Sequence, residues 1–417
     1  MDEIRPLTSE NIKDMGRLLH NAYPGYDISE DAQQKTENFI RKQVDMGPTD
    51  RMIGHFEADN QLSGGIRLLM QPINVRMHQR TAAGLGALCV DLLHKKEKIA
   101  LKLIQWTLNE ARINGACMAV LDPFNIGFYR KMGCGIGAVH HQFRLKPVLF
   151  PSQGDKRLVI ELTDHEIPKI INYHQTYFQN HHGMLQRSNS EIEEMLKGSQ
   201  VIFGVRDKGK LTGVMVCRFE RTGPKNLFKT NMIIEEMVYD HPEALHAFLS
   251  VIHTQVDQVS EVIITSQDRY FETMFNDPNS GYDDAFHTRK NEMYRTGCGM
   301  MYRILDIPKV LSTVEISPED ENLFPVRLTL KDTLLKDQAG EWYLTVLNGS
   351  IMATRQEMKA EIDLQMEAGD LSSLIMGALD LSSLAEYGKI DLFRDDLLKK
   401  MNRIFCYHKA PVCLSRF

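Results

Sequence analysis

The sequence lacks the features that mark several large functional classes. None of its 7 cysteines stands in a CxxC pair; they are scattered over positions 89, 117, 134, 217, 298, 406 and 413. That spacing excludes the usual zinc and dithiol motifs and leaves buried thiols in a reducing cytoplasm as the expectation. No apolar run approaches the roughly 18 residues of a spanning helix, so no membrane segment is expected. An excess of positive charge is missing too: 49 Lys and Arg stand against 55 Asp and Glu, a formal charge of −6. A protein built mainly to grip nucleic acid needs the opposite balance, so no nucleic-acid partner is expected. The opening MDEIRPLTSENI carries early acids and no apolar run, and neither a secretory signal nor a transit peptide is expected there. The tandem pairs His140–His141 and His181–His182 miss the i,i+4 spacing by which two imidazoles share a metal, and no metal site is expected.

What is present is a chain of 417 residues, room for about three domains, with 43% apolar residues to give each a core. The first third alternates strand and helix patterns. Ile12, Met15, Leu18 and Leu19 fall on one face of a helix starting near Ser9. Met52–Ala58 and Leu62–Met70 read as a hairpin turning at Asp59–Asn60, and Gly84–Leu92 as another strand. Ile99, Leu103, Ile104, Trp106 and Leu108 define a helix from about Lys98 to Asn114, stopped by Gly115. Cys117–Leu121 is a short buried strand, ended by Asp122–Pro123 and followed by a short helix from Phe124 to Met132.

The same order returns about 144–150 residues later: a hairpin over Val201–Val216, a strand at Met232–Tyr239, a helix from Pro242 to about Val256 and a strand at Val262–Thr265. This predicts a duplicated α/β domain with its joint near Lys146–Gly154. From about residue 298 the pattern changes to strands at 299–305, 326–330, 340–347 and 350–353, then helices near 370–386 and 391–402, an α+β domain. The expected domains are 1–148, 149–297 and 298–417. Asp-Leu-Ser-Ser-Leu occurs twice, at 370–374 and 380–384, and capping explains it.

Chemistry concentrates between residues 84 and 135. The loop that opens the long helix reads His94-Lys95-Lys96-Glu97-Lys98-Ile99-Ala100. A helix start offers unpaired amides and a positive dipole end, and with three lysines beside it this one suits a diphosphate, although a solvated basic helix end has the same composition. Downstream lies Asn125, then Phe128-Tyr129-Arg130-Lys131-Met132-Gly133.

Loop and tyrosine together, in register, resemble the acyl-CoA loop and C-terminal motif of GNAT acyltransferases. The whole chain is similar to the Eis-type (enhanced intracellular survival) N-acetyltransferases: tandem GNAT domains followed by an α+β sterol-carrier-protein-2-like domain. The resemblance implies acetyl-CoA as donor, a small-molecule amine (aminoglycoside, polyamine or lysine side chain) as acceptor, and a homo-oligomer, often a hexamer. It implies Tyr129 as general acid and the terminal carboxylate, here on Phe417, as general base. Cofactor contacts fall on the strand Leu88-Cys89-Val90, on Lys96-Glu97-Lys98-Ile99-Ala100-Leu101, and on Phe124 and Asn125. The chain departs from the family loop at Lys98, where a glycine is usual. That departure favours a non-catalytic GNAT-like binding protein as the alternative. The second copy has Tyr239-Asp240-His241-Pro242 at the loop position and is not expected to bind CoA. Asp27, Glu30 and Asp31 are candidate acids for a cationic acceptor, with solvated surface as their ordinary role.

Overall fold

In the computed structural model, residues 2–25, 27, 29–197, 201–223, 228–280, 291–390 and 395–415 are described. The chain divides into two compact units, one formed by 1–137 with 300–417 and the other by 138–299.

The first unit opens with β1 (Glu3–Pro6), α1 (Ile12–Ala22), α2 (Glu30–Asp45), β2 (Asp50–Phe56), β3 (Leu62–Val75) and β4 (His78–Val90). It continues with α3 (Ile99–Ile113), β5 (Met118–Leu121), α4 (Ile126–Lys131) and β6 (Gly135–Ile136). The expected helix near Ser9 begins as a 3-10 turn over Ser9–Asn11 and becomes α-helical at Ile12, where the apolar spacing takes hold. Its buried Ile12, Met15, Leu18 and Leu19 form one core cluster with Met52, Phe56 and Cys89; each such side chain contributes about 1.5–3 kcal/mol. The strand expected from Gly84 begins at His78 instead, because Arg76 and Met77 both take left-handed backbone (φ 50° and 67°) and close a two-residue hairpin.

The sheet runs β1-β2-β3-β4-β5, then the segment Met301–Ile304, then β6. β4 and β5 are parallel, and their pairing ends at Leu85 and Leu121 while β4 runs on to Val90. β5 stops at Leu121, so residues 86–90 of β4 have no β5 partner, which leaves an open edge, a wedge, at the C-terminal ends of two parallel strands.

The second unit contains β7 (Val139–Leu145), β8 (Val159–Glu161), α5 (Ile167–Asn180), α6 (Asn189–Lys197), β9 (Val201–Asp207) and β10 (Lys210–Arg221). β11 (Thr230–Tyr239), α7 (Pro242–His253), β12 (Val259–Ser266) and β13 (Arg295–Cys298) complete it. Its sheet order, β8-β9-β10-β11-β12-β7-β13, repeats that of the first, and both sheets have seven strands. The likeness extends to detail. Leu7-Thr8-Ser9-Glu10-Asn11 and Leu162-Thr163-Asp164-His165-Glu166 form the same capping box before α1 and α5. The Asp91 amide donates to Ser63 and the Asp240 amide to Thr212, both at 2.9 Å.

The last part of the chain supplies β14 (Met301–Ile304), α8 (Ile307–Leu311), β15 (Val326–Lys331), β16 (Gly340–Leu347), β17 (Ser350–Thr354) and β18 (Ile362–Glu367). It ends in α9 (Ala368–Ile375), α10 (Leu381–Glu386) and α11 (Asp395–Phe405). The helix read over 370–386 is two helices, broken at Gly377 with φ 68°. Of the two Asp-Leu-Ser-Ser-Leu segments, Asp380 caps α10 by accepting from the Ser383 amide, whereas Asp370 pairs with Lys389 at 2.6 Å.

Sheet membership cuts across the expected segments. β7, inside 1–148, runs in the second sheet beside β12; β14, inside 298–417, runs in the first sheet between β5 and β6. The β14 residues Met301, Tyr302 and Arg303 are 0% exposed. Arg303 donates to the Met132 carbonyl and to both Asp332 oxygens at 2.9 and 2.7 Å.

Candidate active site

The two halves of the sequence motif follow adjacent parallel strands: α3 comes after β4, and α4, which carries Tyr129, comes after β5. On the β4 side, α3 must come close to the sheet, and Gly64 on β3 permits it. A Cβ there would lie 2.8 Å from Ile99 Cγ2 and 3.1 Å from Leu103 Cδ1. Lys98 precedes the helix in left-handed conformation (φ 65°, ψ 16°), as does Lys96 (φ 74°). Lys98 therefore takes the backbone that glycine usually supplies, at a cost of about 1–2 kcal/mol for an L-residue. Its side chain, with those of Lys95 and Lys96, is exposed.

No side chain caps α3. Its first-turn amides, at Ile99, Ala100 and Leu101, have no intrahelical partner by helix geometry. The neighbouring α4 does have a cap: Asn125 Oδ1 accepts from the Phe128 amide at 2.9 Å. Glu97, the acid within the basic run, is engaged by His94, whose Nδ1 lies 3.0 Å away and whose pKa that hydrogen bond raises. Asp91, before the loop, is held ionised by the Leu93 amide and Arg17.

The end of β4 has a defined polarity. Because the Asp91 amide donates to Ser63, the Cys89–Gly65 pair two residues back turns the Cys89 N–H toward β3. The Val90 N–H and the Leu88 carbonyl consequently face the wedge. On this register Val90 presents its amide there, and Cys89 does not. The Cys89 thiol packs against Met15 Sδ, and burial pushes its pKa up to about 12; it is no nucleophile.

On the β5 side, Tyr129 is 5% exposed, and Phe124 and Phe128 meet its ring edge-on at 5.5 and 5.1 Å between centroids. Burial, then the nearby Tyr23, Cys134 and Asp122, drives the phenol pKa far above its ordinary value, so it stays protonated. Gly133 closes α4 at φ 74°, where a Cβ would collide with the Arg303 guanidinium. Phe124 is 61% exposed at the mouth.

Phe417 and Arg416 lie outside the described residues, as does Tyr26. The approach to the terminus is described: Pro411, Cys413 and Ser415 are buried, and the Cys413 and Tyr302 side chains are hydrogen-bonded. Arg76 anchors the same region from the β3–β4 turn, donating to the Ile375 carbonyl at 3.0 Å and to that of Phe405. Asp27, Glu30 and Asp31 are exposed, and Asp31 pairs with Lys35.

The corresponding helix start in the second unit is closed. His241 caps α7 by accepting from the Ala244 amide at 3.3 Å, and Pro242 has no N–H to offer. One residue the sequence motifs missed is Tyr23, whose hydroxyl reaches the Leu88 carbonyl at 2.9 Å. Nothing local marks it; only the packing of α1 beside β4 brings it there.

Among the described residues no group of three or more His, Cys, Asp or Glu is arranged to hold a metal, and no helix is long and apolar enough to cross a membrane. Family models of acetyltransferase (GNAT) domains match residues 3–137 and 183–304, and one of a sterol carrier protein domain matches 307–414. A GCN5-related N-acetyltransferase from Anabaena variabilis is 19% identical with a TM-score of 0.81, over 100% of both chains. One from Kribbella flavida is 18% identical with a TM-score of 0.78, over 100% of this chain and 98% of its own. Eis1 from Mycobacterium abscessus is 16% identical with a TM-score of 0.78, over 100% of both. No curated protein sequence matches the chain.

Proposed function

We propose that this chain, a GNAT acetyltransferase on the Eis-type plan of two GNAT domains and a sterol carrier protein domain, moves the acetyl group of acetyl-CoA to a primary amine. The observation that carries this reading is an uncapped helix start after β4 and a buried phenol after β5, at the C-terminal ends of two adjacent parallel strands. The residues fit the donor. The amides of Ile99, Ala100 and Leu101, with Lys96 and Lys98 around them, would hold a diphosphate. Glu97 is drawn off by His94, and Phe124 and Asn125 would line the other wall. Acetyl-CoA supplies the activated acyl group.

The chain's own groups divide the remaining work. The Val90 N–H polarises the thioester carbonyl and stabilises the oxyanion that develops there. Tyr129, protonated through burial, donates its proton to the departing sulfur. The attacking amine's proton goes to the terminal carboxylate of Phe417. An unperturbed carboxylate, with a pKa of about 3.5, is a weak base, so this role requires the group to be desolvated or to work through water. One proton leaves nitrogen and one reaches sulfur, so the attack is direct and needs no acyl-enzyme. The acceptor belongs to the aminoglycoside, polyamine or lysine-like amines. The reading extends to a cytoplasmic homo-oligomer.

The test is titration calorimetry with acetyl-CoA, followed by thiol release over a panel of amines. Binding at one site per chain and amine-dependent release are expected. No detectable heat at millimolar acetyl-CoA overturns the reading and leaves the non-catalytic binding protein.

A further inference from the structure

A second tyrosine lies near Tyr129, at the end of β4. Tyr23, the residue that closes α1, donates to the Leu88 carbonyl at 2.9 Å. Leu88 follows Ala87, whose backbone is left-handed at φ 50°. The two lie where the ladder steps from Gly65–Cys89 to Arg67–Gly86, so two residues of β4 face one of β3. Such a bulge leaves its extra residue without a ladder partner. The Leu88 carbonyl points into the wedge and away from β3, and the Tyr23 hydroxyl is what holds it. Val90, whose N–H lies on the same side, is two residues further on. Tyr23 is also near enough to Tyr129 to disfavour its ionisation.

The second unit supplies a comparison. Counted from the shared capping box, the position of Tyr23 is taken there by Phe178, which is 2% exposed and has no hydroxyl. That unit's helix start is the one closed by His241 and Pro242. The Tyr23 hydroxyl thus has no counterpart at the same position of the second unit, whose α5 instead donates from Tyr173 to Asp240 at 3.0 Å.

We propose that Tyr23 is a positioning residue for acyl transfer: its hydroxyl pins the β4 bulge so that the Val90 N–H and the Tyr129 hydroxyl address the carbonyl and the sulfur of one thioester. The inference rests on the acetyl-transfer reading above. Removing an oxyanion donor outright costs about 10²–10³ in turnover; loosening its alignment costs less.

Tyr23→Phe is expected to lower kcat about 10-fold while the KM for acetyl-CoA stays within about 2-fold. The second readout is the thioester C=O stretch of bound acetyl-CoA, isotope-edited and recorded without amine. It shifts to higher wavenumber in Tyr23→Phe because the carbonyl is less polarised. A variant that melts lower but keeps wild-type kcat, or one that loses kcat with an unmoved band, has only lost packing, and either result overturns the proposal. If Tyr23→Phe does not fold, Tyr23→His is measured by the same two readouts. Wild-type protein that neither binds acetyl-CoA nor releases thiol refutes the acetyl-transfer reading and this inference with it. Wild-type activity with an unaffected Tyr23→Phe refutes the inference alone.

Discussion

Gly64→Ala isolates the step from packing to cofactor binding. The added Cβ would sit 2.8 Å from Ile99 Cγ2, 3.1 Å from Leu103 Cδ1 and 3.1 Å from the Cys89 carbonyl. Two of these are the first buried side chains of α3 and the third is sheet backbone, so the helix start must yield. Overpacking of this kind costs about 1–3 kcal/mol, a fall in Tm of roughly 2–12 °C for a unit of this size. The helix start carries the amides assigned to the diphosphate. Misaligning one charge-assisted hydrogen bond, worth about 1.5–3 kcal/mol, weakens acetyl-CoA binding roughly 10- to 150-fold. The duplicated domain contains its own control. At Gly213 a Cβ would meet Phe248 Cε2 at 2.8 Å and the Val238 carbonyl at 3.3 Å, yet α7 begins with an occupied cap. Gly213→Ala is expected to lower Tm by a similar amount and leave acetyl-CoA affinity unchanged. Calorimetry and thermal melts on the three proteins decide it. If Gly64→Ala loses stability but binds acetyl-CoA like wild type, or if both variants weaken binding equally, the assignment of the α3 amides is wrong.

Tyr129→Phe removes the proton for sulfur and is expected to lower kcat about 10²- to 10⁴-fold with acetyl-CoA affinity nearly unchanged by calorimetry; loss of affinity instead would make the ring a packing residue. One residue added after Phe417 moves the terminal carboxylate and is expected to lower kcat strongly without changing Tm, whereas an extended chain with full activity removes that carboxylate from the mechanism. His94 has its pKa raised by Glu97, so it is charged below about 6.5 and loses that charge as pH rises through the raised folded value. Above that value Glu97 also loses its cationic partner beside the anion loop. Acetyl-CoA affinity relative to His94→Gln is therefore greatest at low pH and converges on the variant as pH rises; a constant ratio across the range would separate His94 from the loop.

Local pattern carried a large part of this protein. The spacing of Ile99, Leu103, Ile104 and Leu108 suffices for α3, and those four are buried as a helix face requires. Tyr129 sits on a short helix, and Asn125 caps it, because Asp122–Pro123 ends the strand before it. The lysine at 98 is a different case. The family resemblance marks it as a departure, since a side chain at the glycine position would crowd a diphosphate, and only the folded chain reveals that it adopts left-handed backbone while its side chain remains exposed. The repeated Leu-Thr capping segments were legible in principle, but they identify a helix start and say nothing of which sheet receives it.

Strand pairing was beyond local reading. The residues of β7 and β14 alternate as strands wherever they pair, because side-chain period is a property of the segment itself. Which neighbour satisfies their backbone groups depends on chain more than a hundred positions away. Helix starts, turns, buried faces and the duplicated order are thus consequences of the amino-acid sequence over a few turns of chain, where capping, periodicity and left-handed residues act. The exchange of β7 and β14, the burial of Arg303 between Met132 and Asp332, and the reach of Tyr23 to Leu88 were decided by the tertiary structure, since each is a hydrogen bond between groups that no short segment contains together.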